Sequence, residues 1–387
     1  MDDIRVGIVG MGSRGLSWLR TFEDVRGARV VAICDRIGPL LERATRKSGD
    51  PGIDTYTDFD RMIDDASLDA VGVVVEPHNQ PDLICRSLEG GKHVVCEVPL
   101  AYTIEDCWRI VLAVEKSGLK FEMAEQLRYS AYINAWRNMV SEGTLGRVLY
   151  VEGHYLHGMT DDRYWMDGKT GQRLTWEEAK TNPRATRTRF WHMTHPILYL
   201  PHELSPMLKV IDDRVERVSC MGTRRRSYVH GDVPISDMEV AIMHTRGDSL
   251  MKMTAGFTVP TPSPLHWHHV MGTRGQVETN RSGRDSMKLW LANGYMESKA
   301  DLDWDYNAYQ PSPPEARASG HGGLDHYPLA DFIRSIREDS EPELGVYGAA
   351  ETAAPAILSA KSAEKKGAPQ DVPDFRPCKG RKKGHKP

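Results

Sequence analysis

The sequence predicts an α/β protein: an N-terminal doubly wound parallel sheet, then an α+β domain built on a large, mainly antiparallel open sheet. Three observations carry this. An apolar strand runs straight into a glycine-rich turn and a helix pattern in "RVGIVGMGSRGLSWLRTF". Strand and helix patterns then alternate up to about residue 127. From "GRVLYVEGHYLH" onward, strands follow one another without regular helices between them. The expected division is 1–127, 128–375 for a sheet-rich substrate and oligomerisation domain, and 376–387 for a basic tail predicted to be disordered.

The first strand ends in Gly10-Met11-Gly12-Ser13-Arg14-Gly15. Gly10 permits the tight turn, Gly12 lets the backbone approach a pyrophosphate, and Gly15 lets the helix pack on the strand. The helix N-terminus presents free N–H groups to phosphates. A second strand, "ARVVAICD", ends at Asp35, about twenty residues past Gly15, where an acid receives the adenosine ribose hydroxyls. A carboxylate there repels a 2′-phosphate, which favours NAD over NADP; Arg36 beside it works against that preference. The strand "LDAVGVVVEP" ends at Pro77, with His78 next. "NQPDLICRSLEGG" reads as a helix and "KHVVCE" as a strand ending at Glu97. "TIEDCWRIVLAVEKSG" is a helix with Thr103 as N-cap and Glu105-Asp106 in its first turn. "LKFEMAE" closes the alternation, leaving Glu125 and Gln126 near the expected nicotinamide position. The expected NAD set is therefore Gly10, Met11, Gly12, Ser13, Arg14, Gly15, Asp35, Arg36, Pro77, His78, Glu97 and Gln126.

In the second part, strands are expected at 147–157, 215–223, 237–245, 249–258, 265–271 and 287–293. Segment 158–190, rich in Asp, Arg, Lys and Trp, reads as a long loop or excursion. "AAETAAPAILSAKSAEKKG" is a late helix containing Pro355. Hydrophobic residues make up 40% and charged residues 27%, the mix of a soluble globular protein. A net charge of -4 argues against general nucleic-acid binding. No apolar run is long enough to span a bilayer. The six cysteines form no C-x-x-C pair and suit a reducing compartment, and the chain opens directly into a strand. A cytoplasmic protein is expected. One face of the second sheet should cover the cleft and the other should make a homodimer or homotetramer.

The stretch "KHVVCEVPLA" places Glu97-Val98-Pro99 at the carboxyl end of a strand, where open α/β sheets do their chemistry. Val98 can neither donate nor accept a proton. Taken in order, the glycine motif, Asp35, "GGKHVVCEVPLA" and the strand-rich second part resemble the glucose–fructose oxidoreductase/inositol dehydrogenase/MocA family. Most members carry Glu-Lys-Pro there, and the lysine assists proton removal from the substrate hydroxyl during hydride transfer. Glu-Val-Pro is similar to one branch, the NAD-dependent glycoside hydrolases with α-N-acetylgalactosaminidase activity. "EGHYLH" (152–157) resembles that branch's Tyr-x-His strand, and "YLPHELSPML" (199–208) its Tyr-Pro-Thr-His-Gly-x-Gly-Pro segment. "HGGLD" (321–325), "VYGAAE" (346–351) and "VPDF" (372–375) resemble its C-terminal signatures, so the resemblance covers nearly the whole chain. Two features depart from it. Leu198 stands where ordinary dehydrogenase members have an Asp four residues before the site histidine, and 158–196 matches poorly.

The resemblance implies an NAD-dependent glycoside hydrolase acting on a small-molecule glycoside. Such an enzyme works by transient C3 oxidation, C1–C2 elimination, water addition and re-reduction. Tyr155 and His157 lie two apart on a strand and so share a face. By resemblance Tyr155 is the base at C2, and His202 handles the C3 hydroxyl; His157 completes the catalytic set. A phenol of ordinary pKa ~10 needs neighbouring positive charge to act as a base. Substrate contacts are expected from Arg128, Trp191, His195, Tyr199 and His321. Trp191 serves equally well as core packing, and His321 with Asp325 either lines the site or pins a turn. His266 and His268 share a strand face, but no third ligand is indicated and no metal is expected. The second reading is a conventional NAD-dependent sugar or cyclitol dehydrogenase that uses His202 in place of lysine.

Overall fold

Short, largely apolar runs such as "AVGV" and "HVVC" are buried almost throughout, as parallel strands covered by helices must be. In the computed structural model they belong to a six-stranded parallel sheet: β1 (Ile4–Val9), β2 (Ala28–Cys34), β3 (Asp54–Tyr56), β4 (Ala70–Val73), β5 (His93–Cys96) and β6 (Phe121–Met123). The order is β3-β2-β1-β4-β5-β6, the doubly wound arrangement with its crevice at the carboxyl ends of β1 and β4. The structure describes residues 2–64, 67–231, 233–261, 265–281, 286–292, 296–302, 313–378 and 380–386. Helix Ile104–Ser117 starts where expected, because the Thr103 hydroxyl accepts from the Asp106 amide; it stops at left-handed Gly118.

The second sheet begins with β7 (Val148–Leu156). The excursion after it is not a loop. It folds into β8 (Trp165–Asp167), β9 (Arg173–Leu174) and β10 (Ala185–Arg187), with helix Trp176–Thr181 started by a Thr175/Glu178 capping box. Its order is β10-β8-β9. Buried Asp167 organises it by accepting from Arg184 and Asn182. The chain then returns to the large sheet with β11 (Val215–Gly222), β12 (Glu239–Thr245), β13 (Leu250–Gly256), β14 (Leu265–Gly272), β15 (Gly275–Glu278), β16 (Met287–Leu291), β17 (Ala300–Leu302) and β18 (Gln370–Asp371).

The order of the described strands is β17-β16-β15-β14-β7-β13-β12-β11-β18. Neighbours are antiparallel except β7 and β13, which run parallel. Val151, Met243, Met251, Met253 and Val270 alternate onto the buried face. Helix Pro201–Ile211 crosses that face closely because β7 carries Gly153 at the crossing. A Cβ there would lie 2.8 Å from Met253 Sδ and 3.5 Å from Glu203 Cβ.

The later chain packs back onto the first domain. Helix His326–Arg337 lies against helix Ser13–Glu23, and alanine-rich Val346–Glu364 packs on β11 and on Ile104–Ser117. The tail corrects the expectation of disorder. Arg381 pairs with Glu115 at 2.7 Å, both side chains only 1% exposed, and its guanidinium lies 4.9 Å from the Trp108 ring. The Gly384 amide donates to the same carboxylate. No helix among the described residues is long and apolar enough to cross a membrane.

Candidate active site

The glycine-rich turn leads into a cleft of about 1020 Å³ between the two domains. Gly10 has φ +94°, and a Cβ there would meet the Val74 carbonyl oxygen at 2.2 Å, so only glycine fits. Gly15 is equally close-packed: its Cβ would lie 1.8 Å from the Gly10 oxygen. Gly12 is the opposite case, with nothing within 4 Å of the Cβ position. Helix Ser13–Glu23 starts there with no side-chain cap and no acid in its first turn, leaving its amides available to a phosphate. Asp35 accepts from the amides of Met11 (2.7 Å) and Ile37 (2.8 Å), which hold the carboxylate at the end of β2; burial raises its pKa. Arg36 and Arg43 line the same end. Gln126 is buried, and its Oε1 has no hydrogen-bond partner. An open cradle, free helix amides and an anchored ribose acid together fit a dinucleotide.

Arg14 ties this loop to the rest of the chain. It donates to Glu97 and to Asp325, and lies 3.3 Å from His321 Nδ1. His321 bonds Asp325 at 2.9 Å within a left-handed turn. "HGGLD" therefore both pins its own turn and lines the cleft. Asp325 would be raised by burial, but the partnership with His321 and Arg14 lowers it to about 2. Glu97 Oε2 accepts from the Val98 amide, and buried Gln80 donates to the carbonyls of Glu97 and Pro99, fastening the Glu-Val-Pro turn. Val98 itself is 1% exposed. Pro77 is buried and His78 packs against His192, so at this point Glu76 and Asn79 form the wall. The excursion forms the opposite wall with Arg163, Met166, Arg173 and Thr188.

Beyond Phe190, which also lines the cleft, lies a cluster of rings. Phe190 packs on Tyr199, and Tyr199 on His202 and Phe257. Tyr155 meets the His202 ring edge-on at 5.6 Å and the His266 ring nearly parallel at 4.5 Å and 22°. The second contact follows from register, since Tyr155 and His266 are direct partners across β7 and β14. His157 reaches the cluster through Tyr155 and Phe257. Burial, Arg163 and His266 lower its pKa, and its Nδ1 is buried without a partner. His202 Nδ1 lies 3.0 Å from Glu125 Oε1. Glu125 is fully buried and also accepts from the Leu127 and Arg128 amides.

Three expected substrate residues are not brought here. Arg128 points along helix Pro201–Ile211 to the Ser205 carbonyl (2.7 Å) and Glu343 (3.0 Å), in a separate charged groove of about 930 Å³. His195 is buried between Glu239 and Glu364. Trp191 packs on Trp165 and under the Arg187 guanidinium. Glu125 was legible only as a strand-end residue near the nicotinamide position, and Glu203 carries no local sequence signature. Each is joined to its histidine only by tertiary packing, although Glu203 directly follows His202. Among the described residues no group of three or more His, Cys, Asp or Glu side chains could hold a metal ion.

The chain is similar to known proteins in two parts. Residues 4–125 match the oxidoreductase family, NAD-binding Rossmann fold, and residues 129–382 match the C-terminal domain of glycosyl hydrolase 109. A glycosyl hydrolase family 109 protein of Saccharopolyspora erythraea is 30% identical over 405 residues, covering 97% of this chain and 83% of that protein. One from Shewanella sp. (strain W3-18-1) is 29% identical over 408 residues, covering 97% and 85%. In fold, the chain is similar to levoglucosan dehydrogenase in complex with NADH and L-sorbose. The TM-score is 0.78 at 19% identity, over 96% of this chain and 100% of that one.

Proposed function

Since the chain belongs to the glycosyl hydrolase 109 family and carries an NAD-binding Rossmann domain, we propose that it is an NAD-dependent glycoside hydrolase that opens a glycosidic bond by elimination. The observation that supports this is a pair of ring groups, His202 and Tyr155, 5.6 Å apart, with separate buried support: Glu125 behind His202, and the His266–Glu203 pair beside Tyr155. A dehydrogenase moves one proton besides its hydride, whereas an elimination must move two. Val98 takes no part, being buried and without an ionisable atom.

NAD, when bound, supplies the acceptor for the C3 hydride of the sugar and returns it at the end of each turn. Gly10, Gly12, Gly15, the amides that open helix Ser13–Glu23, Asp35 and Gln126 would hold it. His202, oriented by Glu125 much as an acid orients the histidine of a catalytic triad, takes the proton of the C3 hydroxyl. The C3 ketone acidifies the C2 proton. Tyr155, as phenolate, takes that proton; the C2–H electron pair becomes the C1–C2 double bond, and the aglycone leaves with the C1–O pair. Water then adds hydroxyl to C1 while its other proton goes to the departed aglycone oxygen, Tyr155 returns its proton to C2, and His202 returns its proton to the C3 oxygen as the hydride is restored. His157, held neutral, is suited to accept a hydrogen bond from a sugar hydroxyl or the attacking water.

The test is single-turnover NADH absorbance alongside deuterium uptake at C2 in heavy water. His202→Ala should stop NADH formation, a loss of roughly 10²–10⁴-fold. Tyr155→Phe should still form enzyme-bound NADH but block C2 exchange and aglycone release. Cleavage by the wild type without C2 exchange would exclude elimination, and free NADH accumulating over many turnovers would instead indicate a sugar dehydrogenase. The anchored Asp35 supports NAD rather than NADP. Asp35→Ser should weaken NAD roughly tenfold and relieve repulsion of the 2′-phosphate; a lower Kd of the wild type for NADP would overturn this.

A further inference from the structure

Glu203 is the least expected charge in the molecule. It is fully buried and follows His202 directly. One oxygen bonds His266 Nδ1. The other faces His268 Nε2 at 2.5 Å, an ion-pair distance without hydrogen-bond alignment. His268 is fully buried and meets the Tyr132 hydroxyl through Nδ1 at 3.1 Å. A buried carboxylate persists only when paired. Here both partners are histidines, and one of them lies flat on Tyr155.

We propose that Glu203 is a positioning residue: it holds the His266 ring in its protonated form against the face of Tyr155, and so supplies the positive charge that a Tyr155 phenolate needs. This rests on the reading of Tyr155 as the base at C2. The geometry suits the task. A stacked imidazolium cannot exchange the phenol's proton directly, but it stabilises the phenolate more than the phenol. Among the described residues, ionisable groups reach the pair from several elements. Glu203 and His202 come from helix Pro201–Ile211, His268 from β14, and His157 from the residue after β7. Tyr132 acts through His268, and Arg163 through His157. Glu125 also acts on His266, but its oxygens are engaged by His202 and two backbone amides. Burial works against charge on both partners, and the pairing outweighs it: Glu203 falls to about 2 and His266 rises above the usual histidine value.

The experiment is an NMR titration of protein labelled with [13Cζ]tyrosine, with the Tyr155 signal assigned from Tyr155→Phe. Tyr155 should titrate at least one pH unit below the unperturbed value near ~10. The near-isosteric Glu203→Gln, and independently His266→Asn, should each return it upward by a unit or more. The ascending limb of kcat/KM against pH should move by the same amount in Glu203→Gln, with activity recovered at high pH. A merely structural role would lower the whole profile without moving the limb. A wild-type Tyr155 that titrates at the ordinary value, or a titration unchanged in Glu203→Gln, would overturn the proposal. The titration needs no turnover, so it is independent of the base assignment. If Tyr155→Phe still exchanges C2 deuterium while the titration shifts as expected, the base assignment fails and the charge coupling stands.

Discussion

The charged side chains of the site are held by partners rather than by solvent, and this sets how the protein responds to acid. Glu203 and Asp325 both lie well below their ordinary values, at about 2. A carboxylate lowered in the folded state contributes stability that is fully present above its unfolded pKa and is lost as pH falls through the folded one. The window runs from the ordinary values of 4.5 and 3.8 down to about 2. Each shift corresponds to on the order of 3 kcal/mol at most. His266 is shifted upward, so its contribution is complete below its ordinary 6.5 and is lost as pH rises through its raised value. Urea unfolding of the wild type should therefore be hardest between about pH 4.5 and 6.5 as far as this pair is concerned, and Glu203→Gln should flatten both slopes. An unchanged pH dependence in that variant would show that the pair is not ionised in the folded protein. His266 and His268 were legible in the sequence as histidines sharing a strand face. Their carboxylate was not, because Glu203 reaches them across the sheet from a helix more than 60 residues earlier.

At the scale of elements, two segments behave differently from their composition. The excursion at 158–190 is polar, yet Asp167 and the Thr175 cap give it a sheet and a helix of its own. Gly171, at φ +71°, brings it onto Leu40 of the first domain, where a Cβ would come within 2.8 Å. The tail "KGRKKGHKP" reads as solvated because charge runs usually are. Its Arg381 escapes that fate because Glu115 and Trp108 on helix Ile104–Ser117 offer a carboxylate and a ring in one place. Arg381→Ala leaves the Glu115 carboxylate buried with only Tyr347 and the Gly384 amide. Breaking a buried pair costs about 3 kcal/mol or more. Truncation after residue 376 should also lower the melting temperature measurably, whereas a disordered tail would be removed without effect.

For the whole molecule, the large sheet presents one face to the helices and the site and the other outward. The outward face carries Met221, Ile242, Leu250 and Met271, each at least 36% exposed, among Lys252, Glu152 and His244. Exposed apolar side chains gathered on one sheet face mark an interface more often than chance. We propose that two copies associate through it, which buries this face while leaving the cleft on the opposite side open. Sedimentation at micromolar concentration should give a dimer or tetramer, and Ile242→Asp should shift it to monomer with the secondary structure intact. A wild-type monomer would rule the interface out.

The sequence alone determined the parts whose physics is local. The turn at Gly10 to Gly15 needs glycine at fixed offsets, the buried strands are unbroken apolar runs, and alternation in the later strands marks a sheet with one covered face. Tyr155 and His157 share a side because a strand has period two. Tertiary structure decided everything that depends on residues far apart in the chain. It turned Arg128 toward Glu343 and His195 toward Glu239 and Glu364, away from the site, brought Asp325 to Arg14, and set Glu125 behind His202. It also stacked His266 on Tyr155 with Glu203 beneath. A buried charge is placed by where its partner ends up, and partners separated by tens or hundreds of residues leave no pattern in the sequence around either one.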